Sequence, residues 1–522
     1  MPQYLGLDSS TQSLTAVVVD TDAGKVVLNE SVNFGRDLPQ YQCPNGFLAN
    51  PDPLVKHSDP LLWVDALELL LGRCRQQGFD WSKIRGISGS GQQHGSVYLN
   101  ERFFESLSFD PATPLAGQLK PCLSRLTAPI WMDSSTNAEC VEIAQAAGGV
   151  AEVVRISGSR PIERFTGPQI RKFAKEDRPA YAKTARIHLV SSFMASVIAG
   201  TDAPIDFGDG AGMNLLDLAA GEWNGKLLLA TAPKLRDKLS TPVPSHTQIG
   251  EVAACFVKKY GFSAGTPVLA FSGDNPCSLV GMGAIQPGTA VLSLGTSDTF
   301  FAAMRKPVTD PKGYGHVFGN PAGGFMSLIC LKNGSLAREA VMKKFGLDWD
   351  AFAKAILEQT EAGNGGNLML PFFEAEITPL VLKAGPQLFG TAAFVAWRNG
   401  PAAARAIVEA QAINLKLHSA WIGEKTKAIR VTGGASKNVG ILQVLADVFG
   451  AKLFRLGGVT NSAALGAALR AANGVGGAAW EVLFDRFAAT DPQVISPNRS
   501  NAKAYEKLAK EFTARLKDTY GL

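Results

Sequence analysis

Alternating apolar and polar positions near the amino terminus predict a β-hairpin. In the run LGLDSSTQSLTAVVVD, Thr15, Val17 and Val19 share one face, and a turn at Ala23-Gly24 leads into a further strand-like run. A period of two is typical of a strand with one buried face. A similar run, VLSLGTSDTFFAAM, occupies residues 291–304. Each half of the chain is therefore predicted to contain a hairpin with a Ser/Thr/Gly turn.

Helical spacing of apolar residues predicts amphipathic helices between the strand-like runs. Ser58-Asp59-Pro60 offers an N-cap and a first-turn proline to a helix with an apolar face of Trp63, Ala66, Leu67, Leu70 and Leu71. Further helices are predicted around residues 402–422 and in the runs SAALGAALRAA and YEKLAKEFTARLKDTY. Alternation of strands, loops and helices favours an α/β fold. The glycine-rich segment 361–379 is predicted to be a mobile loop over an active-site cleft.

Length and composition narrow the class of protein. A chain of 522 residues that is 46% hydrophobic is predicted to form two globular domains. The net charge of +5 and the absence of blocks of like charge argue against nucleic acid as a partner. No run approaches the roughly 18 apolar residues that span a bilayer, so no membrane partner is expected. Seven scattered cysteines without CxxC spacing indicate reduced thiols in a cytoplasmic protein.

A carboxylate and an amide stand side by side in FSGDNPCSL. Asp274 follows the apolar run VLAFSG, so its carboxyl would be partly desolvated yet open to a cleft, as a general base requires. Asn275 can donate and accept hydrogen bonds, which suits a sugar hydroxyl. A helix N-cap is the structural alternative for Asp274. With the two hairpin turns, this pair suggests a phosphoryl-transfer base beside a hydroxyl-binding residue.

The Ser/Thr/Gly turns at residues 9–11 and 295–297 supply the backbone amides and hydroxyls that a triphosphate needs. Ordinary connecting turns prefer the same residue types. Two such turns together with Gly433-Gly434 favour phosphate binding. Asp8 ends a predicted strand beside the first turn, where it could hold Mg²⁺ through water. A turn-capping aspartate is the alternative for this position.

Other metal and nucleotide motifs are absent from the sequence. Gln93 and His94 lie in a glycine-rich turn between two strand-like runs, where side chains often face a ligand, although a structural hydrogen bond is the alternative for His94. No second histidine has metal spacing and HExxH is absent, so no zinc site is predicted. His94 replaces the third glycine after Gly89 and Gly91, and GxxxxGK[ST] is missing, which argues against Rossmann and P-loop sites.

The motifs, in their order along the chain, resemble those of the FGGY carbohydrate kinases, and most closely those of members that act on xylulose. They are LGLDSSTQ, SGSGQQHGSVY, PIWMDSST, SGSRPIERFTGPQI, IDFGDGAGMNLL, GDNPCSL, LGTSDT, KNGSLARE and TGGASKNVGILQVLADVF. The resemblance implies a two-domain actin-like ATPase (ribonuclease H-like) fold with the active site in the interdomain cleft. It implies an N-terminal sugar-binding and catalytic domain at 1–283 and a C-terminal ATP-binding domain at 284–522.

The resemblance also implies an activity, which is ATP-dependent phosphorylation of D-xylulose to D-xylulose 5-phosphate. ATP and Mg²⁺ are the expected cofactors, and a cytoplasmic monomer or homodimer is expected. A kinase for another pentulose or for a polyol is one alternative. A non-enzymatic or chaperone-like nucleotide-binding protein on the same ATPase core is another, because fold alone does not fix function.

The resemblance assigns roles to matching positions of this sequence. Asp274 would be the catalytic base, and the residues that bind the sugar would be Gln93, His94, Arg164, Asp274 and Asn275. The residues that bind ATP would be Thr11, Thr296, Trp349, Gly433, Gly434, Ala435 and Asn438. Asp8 would serve Mg²⁺, through water. Ser10 and Thr15 stand where family members usually carry a glycine and a lysine.

Overall fold

The protein folds into two compact units. Its structure, a computed structural model, describes residues 2–457 and 461–522. The first unit comprises Met1–Ile285, Val317–Phe325 and Gly458–Ala489. The second comprises Gln286–His316, Met326–Gly457 and Thr490–Leu522. The division into a sugar-binding domain at 1–283 and an ATP-binding domain at 284–522 stays a prediction.

Strands and helices alternate along the chain. Up to residue 285 they are β1 (Gln3–Ser9), β2 (Ser13–Asp20), β3 (Lys25–Asn33), α1 (Phe34–Asp37), β4 (His57–Ser58), α2 (Pro60–Gln76), β5 (Ile84–Gly91), β6 (Ser96–Leu99), α3 (Arg102–Ser106), α4 (Leu115–Leu119), β7 (Ala128–Pro129), α5 (Asn137–Ala146), α6 (Val150–Ser157), α7 (Thr166–Glu176), α8 (Arg178–Lys183), β8 (Arg186–Leu189), α9 (Val190–Ala199), α10 (Phe207–Gly210), β9 (Leu216–Asp217), β10 (Glu222–Trp223), α11 (Gly225–Thr231), β11 (Gln248–Glu251), α12 (Ala254–Tyr260), β12 (Pro267–Leu269), β13 (Ser272–Gly273) and α13 (Asp274–Gly281).

The remaining elements follow the same alternation. They are β14 (Thr289–Leu294), β15 (Asp298–Met304), β16 (His316–Gly319), β17 (Phe325–Leu331), α14 (Ser335–Phe345), α15 (Trp349–Leu357), β18 (Leu368–Leu370), β19 (Glu376–Ile377), β20 (Leu380–Val381), β21 (Gln387–Phe389), α16 (Ala392–Val395), α17 (Gly400–Ser419), β22 (Ala428–Thr432), α18 (Val439–Phe449), β23 (Lys452–Leu456), α19 (Ser462–Gly474), α20 (Trp480–Phe487), β24 (Thr490–Ile495) and α21 (Ala502–Tyr520).

The sheet of the first unit aligns the ends of three parallel strands. Its order is β11-β12-β5-β1-β2-β3, and β13 also pairs with β5. Strands β1 and β5 are parallel with Ser9 opposite Gly91, and β13 places Gly273 beside Gly91. Carboxyl ends of parallel strands are the usual place for ligand-binding residues in open α/β sheets. Asp8 and Asp274 therefore lie at the same edge of the sheet.

Glycines let helices of the first unit approach one another and the sheet at backbone distance. A Cβ on Gly6 of β1 would lie 2.0 Å from the carbonyl oxygen of Ala464 in α19. A Cβ on Gly466 of α19 would lie 1.9 Å from the carbonyl oxygen of Cys277 in α13. Any side chain at these positions would force the elements apart. These close contacts hold α13, which begins at Asp274, in a fixed position against α19, and α19 against β1.

The second seven-stranded sheet has the order β16-β17-β15-β14-β22-β23-β24, and its strands β14, β15 and β22 lie in the second unit. Strands β14 and β15 form the predicted antiparallel hairpin. Strand β22 runs parallel to β14 with Thr432 opposite Ser293. This register brings the turn after β14 next to the turn after β22.

The helices predicted from apolar spacing are present. Asp59 caps α2 through a 2.8 Å hydrogen bond from the Leu61 amide, and Pro60 is the first helical residue. The prediction of a loop at 361–379 is wrong in part, because Leu368–Leu370 is a buried strand paired with Gln387–Phe389. Within residues 2–457 and 461–522, no helix has both the length and the apolar character needed to span a membrane.

Candidate active site

Asp274 is the first residue of α13, and its neighbour Gly273 takes the N-cap position. The structural alternative of an N-cap role for Asp274 is therefore wrong. The side chain is half-buried. Burial, and then the charge of Asp8, raise the pKa of Asp274 to about 7, although backbone N–H groups of Asn275 and Gln93 act in the opposite direction. A partly exposed carboxyl with this pKa can take up a proton near neutral pH, as a general base must.

The side chain of Asn275 links the Asp274 carboxyl to the side chain of Gln93. Nδ2 of Asn275 donates to Oδ1 of Asp274 at 3.0 Å and to Oε1 of Gln93 at 2.8 Å. The backbone amide of Asn275 donates to the same oxygen of Asp274 at 2.8 Å. Gln93 is buried, with 2% of its surface exposed. The structure thus brings together three of the residues predicted to form the sugar site.

His94 follows Gln93 in the turn between β5 and β6. Its backbone is in the left-handed region with a φ of +73°. Nδ1 lies 2.8 Å from the carbonyl oxygen of Gly212, and the ring packs on Phe165 with centroids 4.4 Å apart. These contacts fix the orientation of the imidazole. Because a purely structural histidine makes the same contacts, the role of His94 in sugar binding stays a prediction.

Arg164 lies half-buried in the turn that precedes α7. The two residues after it both contact the His94 turn. Phe165 packs on the imidazole, and Thr166 donates its hydroxyl to the carbonyl oxygen of His94 at 3.0 Å. The start of α7 is therefore attached to the His94 turn, although the two segments are 70 residues apart in sequence. This attachment places Arg164 and His94 in one region of the first unit.

Asp8 is buried near the end of β1. The Ser90 hydroxyl donates to its Oδ1 at 2.5 Å, and the Ser10 hydroxyl donates to its Oδ2. Burial raises the pKa of Asp8 above its ordinary value, whereas the two serine contacts lower it. Thr11, in the turn that follows, accepts a 2.7 Å hydrogen bond from Nε1 of Trp131. In the part of the chain that the structure describes, no group of three or more His, Cys, Asp and Glu side chains forms a metal site.

The turns of the second unit pack closely on each other. Thr296 is exposed between β14 and β15. Gly433, after β22, has a φ of +90°, and a Cβ there would lie 2.4 Å from the carbonyl oxygen of Leu294. A Cβ on Gly434 would meet no atom of residues 2–457 or 461–522 within 4 Å. The surface at Gly434 is therefore open to a bound molecule, whereas Gly433 is needed for the close approach of two strands.

An ion pair that sequence reasoning missed supports the Thr296 turn. Arg338 and Asp298 are both buried and make two hydrogen bonds, at 2.8 and 2.9 Å. A Cβ on Gly334, just before α14, would lie 2.7 Å from the carbonyl oxygen of Thr296. The start of α14 therefore packs directly on the turn. The signal in the sequence was one charged residue within each of two predicted elements, Asp298 in the second hairpin and Arg338 in the helix that follows. Charged side chains are rarely buried without a partner, so a pair of opposite charge was to be expected.

Asn438, Trp349 and Ala435 form a second group in this unit. Asn438 caps α18, with Oδ1 accepting from the Ile441 amide at 3.1 Å, and its Nδ2 donates to the carbonyl oxygen of Trp349 at 3.0 Å. Trp349 is 38% exposed and Ala435 is buried. An exposed indole beside a fixed amide is suited to stacking on a nucleobase. The capping contact is also structural, so nucleotide binding by Asn438 stays a prediction.

Two further carboxyl groups lie near Asp274, in a segment whose chemistry the sequence left open. Asp209 of α10 accepts a 2.5 Å hydrogen bond from the Ser191 hydroxyl, and its backbone amide donates to Asp206 at 2.8 Å. Burial raises the pKa of Asp209 well above its usual range, and the charges of Asp206 and Asp274 raise it further. The signal for these residues was the first two of the three aspartates in IDFGDGAGMNLLDL.

The predicted site residues fall in both units. The first unit contains Asp8, Thr11, Gln93, His94, Arg164, Asp274 and Asn275. The second contains Thr296, Trp349, Gly433, Gly434, Ala435 and Asn438. The predicted sugar residues and Asp8 thus share one unit, and all the predicted ATP residues except Thr11 share the other.

Comparison with known proteins identifies the class. Residues 124–281 match the N-terminal domain, and residues 290–474 the C-terminal domain, of the FGGY family of carbohydrate kinases. The xylulose kinase of Mus musculus is 42% identical over 524 residues, which cover 98% of this chain and 93% of that protein. Xylulose kinase 2 of Arabidopsis thaliana is 40% identical over 489 residues, covering 90% and 87%. The chain therefore belongs to the FGGY family of carbohydrate kinases.

Solved structures confirm the fold. A xylulose kinase from Rhodospirillum rubrum has a TM-score of 0.82 at 20% identity and covers 99% of both chains. The glycerol kinase of Plasmodium falciparum, solved with ADP, has a TM-score of 0.78 at 16% identity and covers 100% of this chain and 98% of its own. The predicted two-domain actin-like ATPase fold is thereby confirmed.

Proposed function

We propose that this protein transfers the terminal phosphoryl group of ATP to a hydroxyl of D-xylulose and forms D-xylulose 5-phosphate. One observation carries the chemistry, namely a half-buried Asp274 with a pKa of about 7 that is held by the amides of Asn275. The choice of D-xylulose is supported by relatives of nearly full length that are named xylulose kinases and are 40 to 42% identical.

The chemical step needs one base and accurate alignment. Ionised Asp274 takes the proton from the attacking sugar hydroxyl as its oxygen approaches the terminal phosphorus. Asn275, His94 and Arg164 hold the other hydroxyls, so that the attacking oxygen is the one nearest the base. Phosphoryl transfer makes few other demands on a protein, since most of the rate comes from positioning and charge stabilisation. The proton passes to solvent when the product leaves.

The second unit supplies the nucleotide contacts in this proposal. The turns at Thr296 and Gly433-Gly434 present backbone amides to the phosphates, and Trp349 flanks the base of ATP. Support comes from the open surface at Gly434 and the 38% exposure of Trp349. Transfer requires the terminal phosphorus to reach the hydroxyl beside Asp274.

Mg²⁺ is proposed as the accompanying cation. The residues fit it, because Asp8 is a carboxylate whose charge raises the pKa of Asp274 and would be offset by a cation. Mg²⁺ keeps several waters and takes few protein oxygens, which agrees with a site that offers one carboxylate. Asp8 would hold the ion through water, and the ion would neutralise charge on the phosphates. The cytoplasm is the proposed location, supported by seven free cysteines.

The experiment is a coupled assay of ADP release with D-xylulose, L-xylulose, D-ribulose, L-ribulose and glycerol, each against a reaction without sugar. D-xylulose should give the highest kcat/KM, and phosphorus NMR of the product should show a phosphate ester at carbon 5. A higher kcat/KM with another pentulose or with glycerol would identify that compound as the substrate, and the protein would still be a carbohydrate kinase. ADP release that no sugar stimulates would favour the chaperone-like alternative.

A further inference from the structure

A chain of polar side chains leads from the proposed base into the interior of the first unit. Asn275 joins Oδ1 of Asp274 to Oε1 of Gln93, with hydrogen bonds of 3.0 and 2.8 Å. At the far end, the Ser191 hydroxyl donates to Oδ2 of Asp209 at 2.5 Å. Asp209 and Ser191 are almost fully buried. The proposed mechanism gives neither residue a role.

The gap in this chain lies between Gln93 and Asp209. Nε2 of Gln93 and Oδ1 of Asp209 are both buried, and neither has a hydrogen bond of regular geometry in the part of the chain described. The Gln93 amide nevertheless acts on the Asp209 carboxyl as a donor that lowers the pKa of Asp209. A Cβ on Gly212, three residues after Asp209, would lie 3.4 Å from Nε2 of Gln93, so the two segments are neighbours. A buried donor and a buried acceptor without other partners form a strongly preferred pair, since leaving either unpaired is costly.

We propose that Asp209 is a positioning residue, which fixes the orientation of the Gln93 amide and thereby the Asn275 amide that holds the base. Oδ1 of Asp209 attracts Nε2 of Gln93, so Oε1 of Gln93 must face Asn275. Because Oε1 of Gln93 accepts a hydrogen bond, Asn275 must turn its Nδ2 toward Gln93. The same Nδ2 also donates to Oδ1 of Asp274. This inference rests on the proposed function, because it gives Asp209 a role in orienting Asp274, the base of the proposed reaction.

The opposite orientation of these amides is chemically poor. If Gln93 turned by 180°, its NH₂ group would face the NH₂ group of Asn275, and two donors would meet. If Asn275 turned as well, its carbonyl oxygen would face Oδ1 of Asp274, and two acceptors would meet. Only one arrangement satisfies all the contacts. Asp209 selects this arrangement from the buried end and Asp274 from the other end, while Ser191 holds Asp209 in place.

The test compares Asp209→Leu, Asp209→Asn, Gln93→Leu and the double variant in the D-xylulose assay. Asp209→Leu keeps the shape and removes the acceptor, and we expect kcat to fall about tenfold, the size of one lost hydrogen bond. KM for D-xylulose should stay within about threefold. Asp209→Asn offers Oδ1 to Gln93 and its NH₂ to Ser191, so it should recover most of kcat.

Two readouts separate positioning from a general structural effect. If Asp209 acts through Gln93, the double variant should lose no more kcat than Gln93→Leu alone, whereas independent effects would multiply. The acid limb of the kcat profile should lie at higher pH in Asp209→Leu than in Asp209→Asn. Both variants remove the carboxyl charge of Asp209 near Asp274, which also faces Asp8, and only the leucine also weakens the N–H donor to the charged form of Asp274. Circular dichroism and thermal unfolding check that each variant is folded.

Several outcomes would overturn the inference while the proposed function stands. They are a wild-type kcat in folded Asp209→Leu, effects that multiply in the double variant, or no recovery in Asp209→Asn. If Asp209→Leu does not fold, Ser191→Ala takes its place, and the two single variants Ser191→Ala and Gln93→Leu are compared with their double variant. Losses of kcat that multiply in that double variant would count against the proposal. The proposed function fails separately, if the wild-type protein releases no ADP in response to any sugar.

Discussion

Asn275 donates its side-chain N–H to Oδ1 of Asp274 over 3.0 Å. Its backbone N–H reaches the same oxygen over 2.8 Å. Two donors from one residue hold the carboxyl in a single orientation at the start of α13. The donors also favour the charged form, but burial and the charge of Asp8 outweigh such effects and the pKa of Asp274 is about 7.

Replacement of the base gives the first prediction. Asp274→Asn keeps the size of the side chain and removes the proton acceptor, so kcat should fall by about two to four orders of magnitude. The fold should survive, because Gly273 and not Asp274 caps α13. Initial rates of ADP release and circular dichroism measure the two effects. Asp518→Asn, at an exposed position of α21, is the control and should keep wild-type kcat. Near-normal turnover in Asp274→Asn would exclude Asp274 as the base.

The pKa of about 7 for Asp274 predicts the pH dependence of the rate. The base works only when it is ionised, so activity should be highest above pH 7 and fall as the pH drops through that value. Well below pH 7, kcat/KM should decrease about tenfold per pH unit. The measurement is kcat/KM for the sugar from about pH 5 to 9, with saturating ATP. A rate that stays constant down to pH 5 would show that Asp274 has the ordinary pKa of an exposed aspartate.

The sequence predicted much of the fold because its signals were local. Apolar periodicity found both hairpins and α2, and the Asp59-Pro60 start of that helix was readable from capping preferences. The segment 361–379 was predicted incorrectly because glycines at its start suggested a loop. Burial of Leu368–Leu370 against a strand that lies further along the chain decides its conformation, and local sequence does not contain this contact.

The sequence predicted the chemistry of residues that stand together in one motif, and it did not predict contacts between motifs. Asp274 and Asn275 are adjacent, so their chemistry was visible in the sequence. Asp209 was not identified, because its position next to Gln93 depends on how α10 folds back on the turn after β5. The resemblance to a family supplied residue roles but no geometry. Contacts between segments that are over 100 residues apart had to come from the structure.

The turn after β22 gives a prediction with a control in the adjacent residue. Gly433→Ala should destabilise the second unit by about 1–3 kcal/mol, because its φ is +90° and a Cβ would lie 2.4 Å from the Leu294 carbonyl oxygen. Gly434→Ala should leave stability unchanged, since no atom of the described part of the chain lies within 4 Å of the added Cβ. If Gly434 faces the phosphates, the same variant should raise KM for ATP and not KM for the sugar. Urea unfolding and steady-state kinetics provide both measurements.

A buried ion pair gives a prediction about stability. Arg405 donates to Glu409 at 3.0 Å, to the Thr360 hydroxyl at 2.8 Å and to the Tyr505 hydroxyl at 3.2 Å. Arg405→Met should lower the free energy of unfolding by about 3 kcal/mol, because it leaves these buried acceptors without their donor. Glu409→Gln should cost less at pH 7, since burial raises the pKa of Glu409 to about 7 and glutamine still accepts from Arg405. Equal losses in both variants would contradict this account.

His418 predicts how stability changes with pH. Burial lowers the pKa of His418 to about 4, and its buried Nε2 has no hydrogen bond to any of the residues that the structure describes. The unfolded chain has the ordinary value near 6.5, so between pH 4 and 6.5 the unfolded state binds more protons than the folded state. Stability should therefore be complete above pH 6.5 and fall by about 3 kcal/mol as the pH approaches 4.

The variant His418→Phe tests this assignment, because phenylalanine fills a similar volume and does not titrate. Its free energy of unfolding, relative to wild type, should be higher at pH 5 than at pH 7, and the excess should grow as the pH decreases. His246→Gln is the control, since His246 is exposed and its replacement should give the same difference from wild type at both pH values. Burial keeps the imidazole of His418 unprotonated in the folded state over this pH range. If His418→Phe and wild type lose stability in parallel between pH 7 and 5, the imidazole is protonated in the folded protein and other groups cause the acid instability.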